Sequence, residues 1–155
     1  PSFGASNEPD YLKSVAKKPG SYALMDRQVV MIGGGRSRVE FCDLYSSDNK
    51  EIIHVKKYGG SSVLSHLFSQ AVVSGDCFLH DTDFRVELNK FLPHGHKQKN
   101  PKEQPVAGEY EVCVAIMSKA KGPLELPFFS KVSFKHAVKV LRNLGYKVTK
   151  LKIER

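Results

Sequence analysis

The sequence predicts an α/β fold, a mixed β-sheet flanked by helices, and three stretches carry that expectation. Residues 38–45 and 51–58 read as the two strands of a β-hairpin. Residues 110–117 are a nearly continuous apolar run, as expected of a central strand buried on both faces. A helical pattern and a further strand follow, completing a strand–helix–strand unit, a connection that sets its two strands parallel. A hairpin and a parallel pair in one chain make the sheet mixed.

In chain order, residues 1–21 read as a lead-in rich in turn formers, with a short helix over residues 9–17 that puts Tyr11, Leu12 and Val15 on one side. Residues 22–32 suit one or two strands stopped by Gly33-Gly34-Gly35. These glycines lack the downstream Gly-Lys-Ser/Thr of a phosphate loop and so read as a turn. The hairpin strands are joined by Ser46-Ser47-Asp48-Asn49-Lys50, all turn-favouring. Gly59-Gly60 ends the second strand, and Ser61 or Ser62 is expected to cap a helix whose apolar stripe is Val63, Leu64, Leu67, Phe68, Ala71 and Val72. Its opposite face carries Ser62, Ser65, His66, Ser69 and Gln70. Another helix is expected over residues 82–91, then a mobile, lysine-bearing loop over residues 93–105. Ser133 reads as the cap of the last helix, with Phe134, Ala137, Val138, Leu141 and Leu144 at helical spacing and Gly145 as its stop, before a final strand over residues 146–153.

At 155 residues the chain is expected to form a single domain, and 41% hydrophobic with 26% charged residues excludes a disordered one. No apolar run approaches the length that crosses a bilayer and the first residues lack the layout of a secretory signal, so no membrane partner is expected. Cys42, Cys77 and Cys113 are odd in number and widely spaced, which fits neither a disulfide framework nor a zinc site and points to a reducing cytoplasm. The chain opens at Pro1 without an initiator Met, which fits a segment of a longer protein. The remainder of that parent, or a second copy as a homodimer, are the protein partners expected.

Lys and Arg number 24 against 16 Asp and Glu, a formal charge of +8 whose field attracts polyanions. Nucleic acid is therefore the expected partner, DNA ahead of RNA. Lys135, Lys139 and Arg142 on the last helix, with Lys147 and Lys150 on the last strand, offer a phosphate track, and Lys57, Ser62 and His66 offer contacts nearer the hairpin. No recognition-helix, RNA-recognition-motif or zinc-finger signature is present to read bases.

Metal-assisted phosphodiester cleavage needs carboxylates for a divalent ion and a cation near the attacking water. The hairpin offers both, with Glu40 and Asp43 on its first strand and Lys56 on its second. Strand alternation sets His54 and Lys56 on one face. His94 and His96 have no acidic or cysteine ligands at supporting spacing and read as part of a solvated loop. Cys42 reads as a small buried hydrophobe rather than a nucleophile.

An acidic strand, a turn, a strand ending in x-x-Lys and a helix bearing Gln, in that order, resemble the PD-(D/E)XK nuclease superfamily in a degenerate form. The resemblance implies a restriction-endonuclease-like core and a nuclease dependent on Mg²⁺ or Mn²⁺. Asp43 would then be the metal carboxylate, Lys56 the lysine that positions the attacking water, and Gln70 a helix residue reaching the site. The departure is His54, where the superfamily carries Asp or Glu. Either His54 is itself a ligand, Glu40 supplies the second carboxylate, or the site is inactive and the domain is a nucleic-acid-binding or assembly module. The stretch Val39-Glu40-Phe41-Cys42-Asp43-Leu44, through His54-Val55-Lys56-Lys57, to Leu64-Ser65-His66-Leu67-Phe68-Ser69-Gln70 is also similar to a sporadically distributed prokaryotic family found among mobile or defence-related genes, which implies a defence or mobile-element setting.

Overall fold

Asn7 opens the first helix: its Oδ1 accepts the Asp10 N–H at 2.9 Å, and Pro9 in the first turn needs no backbone partner. This helix, α1 (Glu8–Ala16), buries Tyr11 and Leu12. The computed structural model describes residues 7–18 and 22–154. Along these the elements are α1, β1 (Ala23–Leu24), β2 (Val29–Ile32), β3 (Ser37–Glu40), β4 (Leu44–Ser46), β5 (Glu51–Lys57), α2 (Ser61–His80), α3 (Thr82–Phe91), β6 (Glu111–Ser118), α4 (Phe128–Asn143) and β7 (Lys147–Glu154).

The main sheet has the order β1-β4-β5-β6-β7. β1 with β4 and β4 with β5 are antiparallel, whereas β5, β6 and β7 run parallel, so the sheet is mixed as expected. β6 lies inside the sheet, between β5 and the edge strand β7, and is buried along nearly its whole length. Its Val112, Val114 and Ile116 join the larger core with α2, α3 and α4, while Cys113, Ala115 and Met117 join a smaller core under α1. Alternation along one strand thus divides the molecule into α1, sheet and α2–α4 layers.

Residues 38–45 are not one strand. They divide into β3 and β4, which lie in different sheets. Phe41 and Cys42 both turn into the larger core, Phe41 against the rings of Tyr45, Phe78 and Phe84, and two successive inward side chains are incompatible with a continuing strand. The expected hairpin is therefore two hairpins. β2 and β3 pair across Gly33, Gly34 and Gly35, all with positive φ, and β4 pairs with β5.

The helix starts also differ from the sequence reading. α2 is capped by Gly60 with no side-chain bond, which leaves Ser61 and Ser62 in the first turn. α4 begins at Phe128 behind Pro127, whose ring fixes an entry conformation, and Ser133 lies inside it, bonded to Ser65 of α2 at 3.0 Å. The stop at Gly145 stands: its φ of +100 lets Tyr146 N–H return to Leu141 O at 3.1 Å. Residues 93–105, expected to be mobile, are tied to α3. Asn89 brackets Gln98 with two bonds, and the buried Arg85 guanidinium donates to the carbonyls of Phe78, Leu79 and Pro101.

α2 and α4 approach closely at Gly75, where a Cβ would lie 3.0 Å from Leu141 Cδ2 and 3.3 Å from the Tyr146 ring. Tyr146 Oη donates to Gly75 O at 2.7 Å across the same contact. Gly75→Val should overpack this seam and cost about 1–3 kcal/mol in urea unfolding. An unchanged midpoint would show that the two helices are not held by this contact.

Candidate active site

β4 pairs with β5 over three residues only, Leu44 with Ile53, Tyr45 with Ile52 and Ser46 with Glu51. At Asp43 the chain leaves the sheet: its N–H still donates to Ile53 O at 3.0 Å, but its own carbonyl accepts Met25 N–H at 2.8 Å. The remainder of β5 keeps β6 along one side and has no strand among the described residues along the other. Strand N–H groups that lose a strand neighbour need other acceptors. The Val55 N–H donates to Asp43 Oδ2 at 2.6 Å, and the Lys57 N–H donates to Glu8 Oε2 at 2.8 Å. Two carboxylates thus take the place of a strand. The N–H groups they hold are two residues apart, about 7 Å along β5. Lys56, between them, places Nζ 3.3 Å from Glu8 Oε1.

The Asp43 carboxyl is raised to about 7, chiefly by burial and in lesser part by the nearby charges of Asp26 and Glu8. The Val55 N–H and the Lys56 ammonium oppose the shift without cancelling it. A carboxyl that titrates near neutrality can either carry or release a proton at working pH, a property concentrated at functional sites.

His54 stands on the face of β5 that packs against α2. It is buried against α2 with Nε2 3.2 Å from Ser74 Oγ, and burial lowers it to about 4, so the ring is neutral. The structure therefore sets His54 apart from the Asp43 carboxylate, which lies along the edge of the sheet. Glu40 is likewise separated from Asp43 by the break after β3; its Oε2 accepts Gln70 Nε2 at 3.5 Å. Glu40, His66 and Gln70 come together with Arg38 and Ser69 around a cavity of about 450 Å³ between β3 and α2. Gln70 lies one helical turn before Ser74, the residue over His54, and Lys56 lies two residues beyond His54. A turn of about 6 Å against a strand step of about 7 Å sets Gln70 above the Lys56 end of β5.

Of the remaining residues picked out in the sequence, Lys57 and Ser62 are exposed at the end of β5 and the start of α2. Lys135, Lys139 and Arg142 are exposed along α4, and Lys147 and Lys150 along β7, with Lys150 Nζ 5.7 Å over the Phe134 ring. His96 is occupied with Ser47, whose N–H and hydroxyl both lie 3.3 Å from Nδ1. Burial raises the Cys42 thiol well above its usual range, which leaves it unreactive. Glu8 was missed. It sits in the segment read as a lead-in, 48 residues before Lys56, and the only sequence signal for it is an acidic residue at a helix start, which is common.

Among the described residues no three His, Cys, Asp or Glu side chains form a group able to hold a metal ion. The donor chemistry at the open edge nevertheless suits a hard cation. Asp43 and Glu8 supply carboxylate oxygens, and Mg²⁺ or Mn²⁺ is commonly held by one or two carboxylates, with water and phosphate oxygens completing the shell. These features define an α/β domain with a mixed sheet whose interrupted edge gathers two carboxylates and a lysine. Residues 1–154 match the family described as Family of unknown function (DUF6119), and the chain belongs to that family. Comparison with curated proteins and with solved structures gives no match.

The two buried titratable groups should oppose each other in the metal-free protein. Asp43, raised from 3.8 to about 7, contributes stability that is fully present below about pH 4 and lost as pH rises to 7. His54, lowered from 6.5 to about 4, contributes stability present above about pH 6.5 and lost as pH falls to 4. Asp43→Asn should therefore give a protein that gains stability from pH 4 to 7 relative to the parent, and His54→Gln one that loses it, in urea midpoints taken across that window. Parent-like profiles for both would remove the assignment.

Proposed function

We propose that the chain is a divalent-metal-dependent nuclease, a degenerate member of the PD-(D/E)XK type, hydrolysing phosphodiester bonds of nucleic acid, DNA ahead of RNA. The observation that carries the reading is the open edge of β5, where Asp43, Glu8 and Lys56 assemble from three separate elements. The order of elements supports it: β4, the lysine-bearing β5 and α2 follow one another as the acidic strand, lysine strand and helix of the resemblance do. The formal charge of +8 suits a polyanionic substrate. The likeness to mobile or defence-related genes suits a defence or mobile-element setting.

In this reading ionised Asp43, with Glu8 beside it, would hold Mg²⁺ or Mn²⁺, an ion that activates water and offsets charge on the phosphate. Lys56 orients the attacking water and stabilises the charge that develops on the scissile phosphate. Its Glu8 partner holds the ammonium at the edge of the sheet, and Gln70 closes the site from α2. His54 takes no part in binding or chemistry; it fills the space between β5 and α2 and fixes the helix over the strand.

A second reading is favoured by one observation. The position at which the superfamily carries a carboxylate is filled by a buried neutral histidine, which suits a binding or assembly module without turnover.

Incubation of single- and double-stranded DNA and RNA with Mg²⁺, Mn²⁺ or chelator separates the two. Cleavage that needs metal should fall at least 100-fold in Asp43→Asn and in Lys56→Ala. Metal should also raise the melting temperature of the parent above pH 7 and leave Asp43→Asn unmoved. Binding without cleavage under every metal condition would leave the module reading.

A further inference from the structure

A second cavity, of about 530 Å³, opens at the carboxyl ends of β5 and β6. Lys57, Lys119 and Lys121 line it, with Tyr58 and Ser118, against a single acidic residue, Glu125. Crevices at this end of parallel strands are where open α/β sheets take ligands. The loop that forms its floor is held in shape: Lys152 Nζ donates to Ala120 O at 2.7 Å and to Gly122 O at 2.6 Å, and Ser118 Oγ accepts the Ala120 N–H. Leu126 then anchors the chain in the core.

Directly beyond that anchor, α4 opens with Phe128 and Phe129, which are 72% and 71% exposed, and Val132 one turn on is 54% exposed. Their two rings are 5.5 Å apart and set at 76°, so each keeps a face free. Two neighbouring phenylalanines this exposed, next to a lysine-lined crevice, combine the two components that bind unpaired nucleic acid: cations along the backbone and aromatic faces for the bases. A duplex hides its base faces and has no use for the second component.

We propose that residues 119–129 form a ledge for a single-stranded segment of nucleic acid, with Lys57, Lys119 and Lys121 on its phosphates and Phe128 and Phe129 stacked on its bases. The inference rests on the nucleic-acid reading above and deepens it by naming the form of substrate. Lys57 follows Lys56 on β5, so a strand on the ledge leads directly to the open edge.

The test is equilibrium binding of a fluorescent oligothymidylate and of a duplex of equal length, in chelator, so that affinity is read without turnover. The unaltered chain should bind the single strand more tightly. Phe128→Ala/Phe129→Ala should weaken oligothymidylate binding at least 10-fold, leave the salt dependence unchanged and barely affect the duplex. Lys119→Ala/Lys121→Ala should instead reduce the steepness of log affinity against log salt by about 1.4. These side chains are exposed, and an unchanged melting temperature checks folding. Equal loss for both forms, or none in the aromatic variant, would overturn the ledge alone. A shift of that variant from dimer to monomer in sedimentation would assign the aromatic pair to a second copy instead. No binding of either form by the unaltered chain would take away the nucleic-acid reading too.

Discussion

A β-strand that loses its neighbour halfway along must find other acceptors for its N–H groups, and most of what is distinctive here follows from how β5 does so. β4 stops at Leu44 because Phe41 and Cys42 are drawn into the core. The two N–H groups left on that side of β5 are satisfied by Asp43 and Glu8. An unsatisfied buried N–H costs about 1–3 kcal/mol, so Asp43, on the N–H of buried Val55, is a structural as well as a chemical group. The same contacts bring α1 against β5 and fix Lys56 between them. A single interruption of the sheet thereby creates both an opening and the charged groups that surround it.

The electrostatic consequence is a carboxyl balanced near neutrality. Asp43 is too buried to ionise as freely as a surface aspartate, yet Lys56 and the Val55 N–H keep it from being permanently protonated. A cation arriving at the edge would favour the ionised form, coupling metal binding to proton release. His54 contributes by staying out of this balance: neutral and bonded to Ser74, it adds no charge between β5 and α2. The lysines of α4 and β7 lie apart from this exchange and act as a general positive surface.

The sequence was most informative where a pattern is local. The mixed sheet, β6 as a buried interior strand, the strand–helix–strand unit from β6 to β7 and the stop at Gly145 all follow from periodicity and from glycine's freedom at positive φ. It was least informative where distant residues decide. Residues 38–45 look like one strand because nothing local shows that Phe41 is claimed by Phe78 and Phe84. Ser133 has the chemistry of a cap but is used between helices. Asp43 and Lys56 come near each other, since an acidic residue followed by a lysine strand survives in the sequence as spacing, whereas Gln70 lies with Glu40. Glu8 was not picked out, because its role exists only after α1 has packed against β5. Glu40 was placed beside Asp43 by assuming one regular strand, and the break after β3 separates them, while His54 turns to Ser74 of α2.

The central claim is that the open edge of β5 is where a divalent cation and a phosphodiester meet. Anomalous diffraction from crystals grown with Mn²⁺ and a non-hydrolysable phosphorothioate oligonucleotide, above pH 7, tests it most directly. The account predicts an anomalous peak bonded to Asp43, with Glu8 alongside and a backbone phosphate within reach of Lys56. A peak in the cavity between Glu40 and His66, or none at Asp43 with the oligonucleotide bound elsewhere, would contradict it.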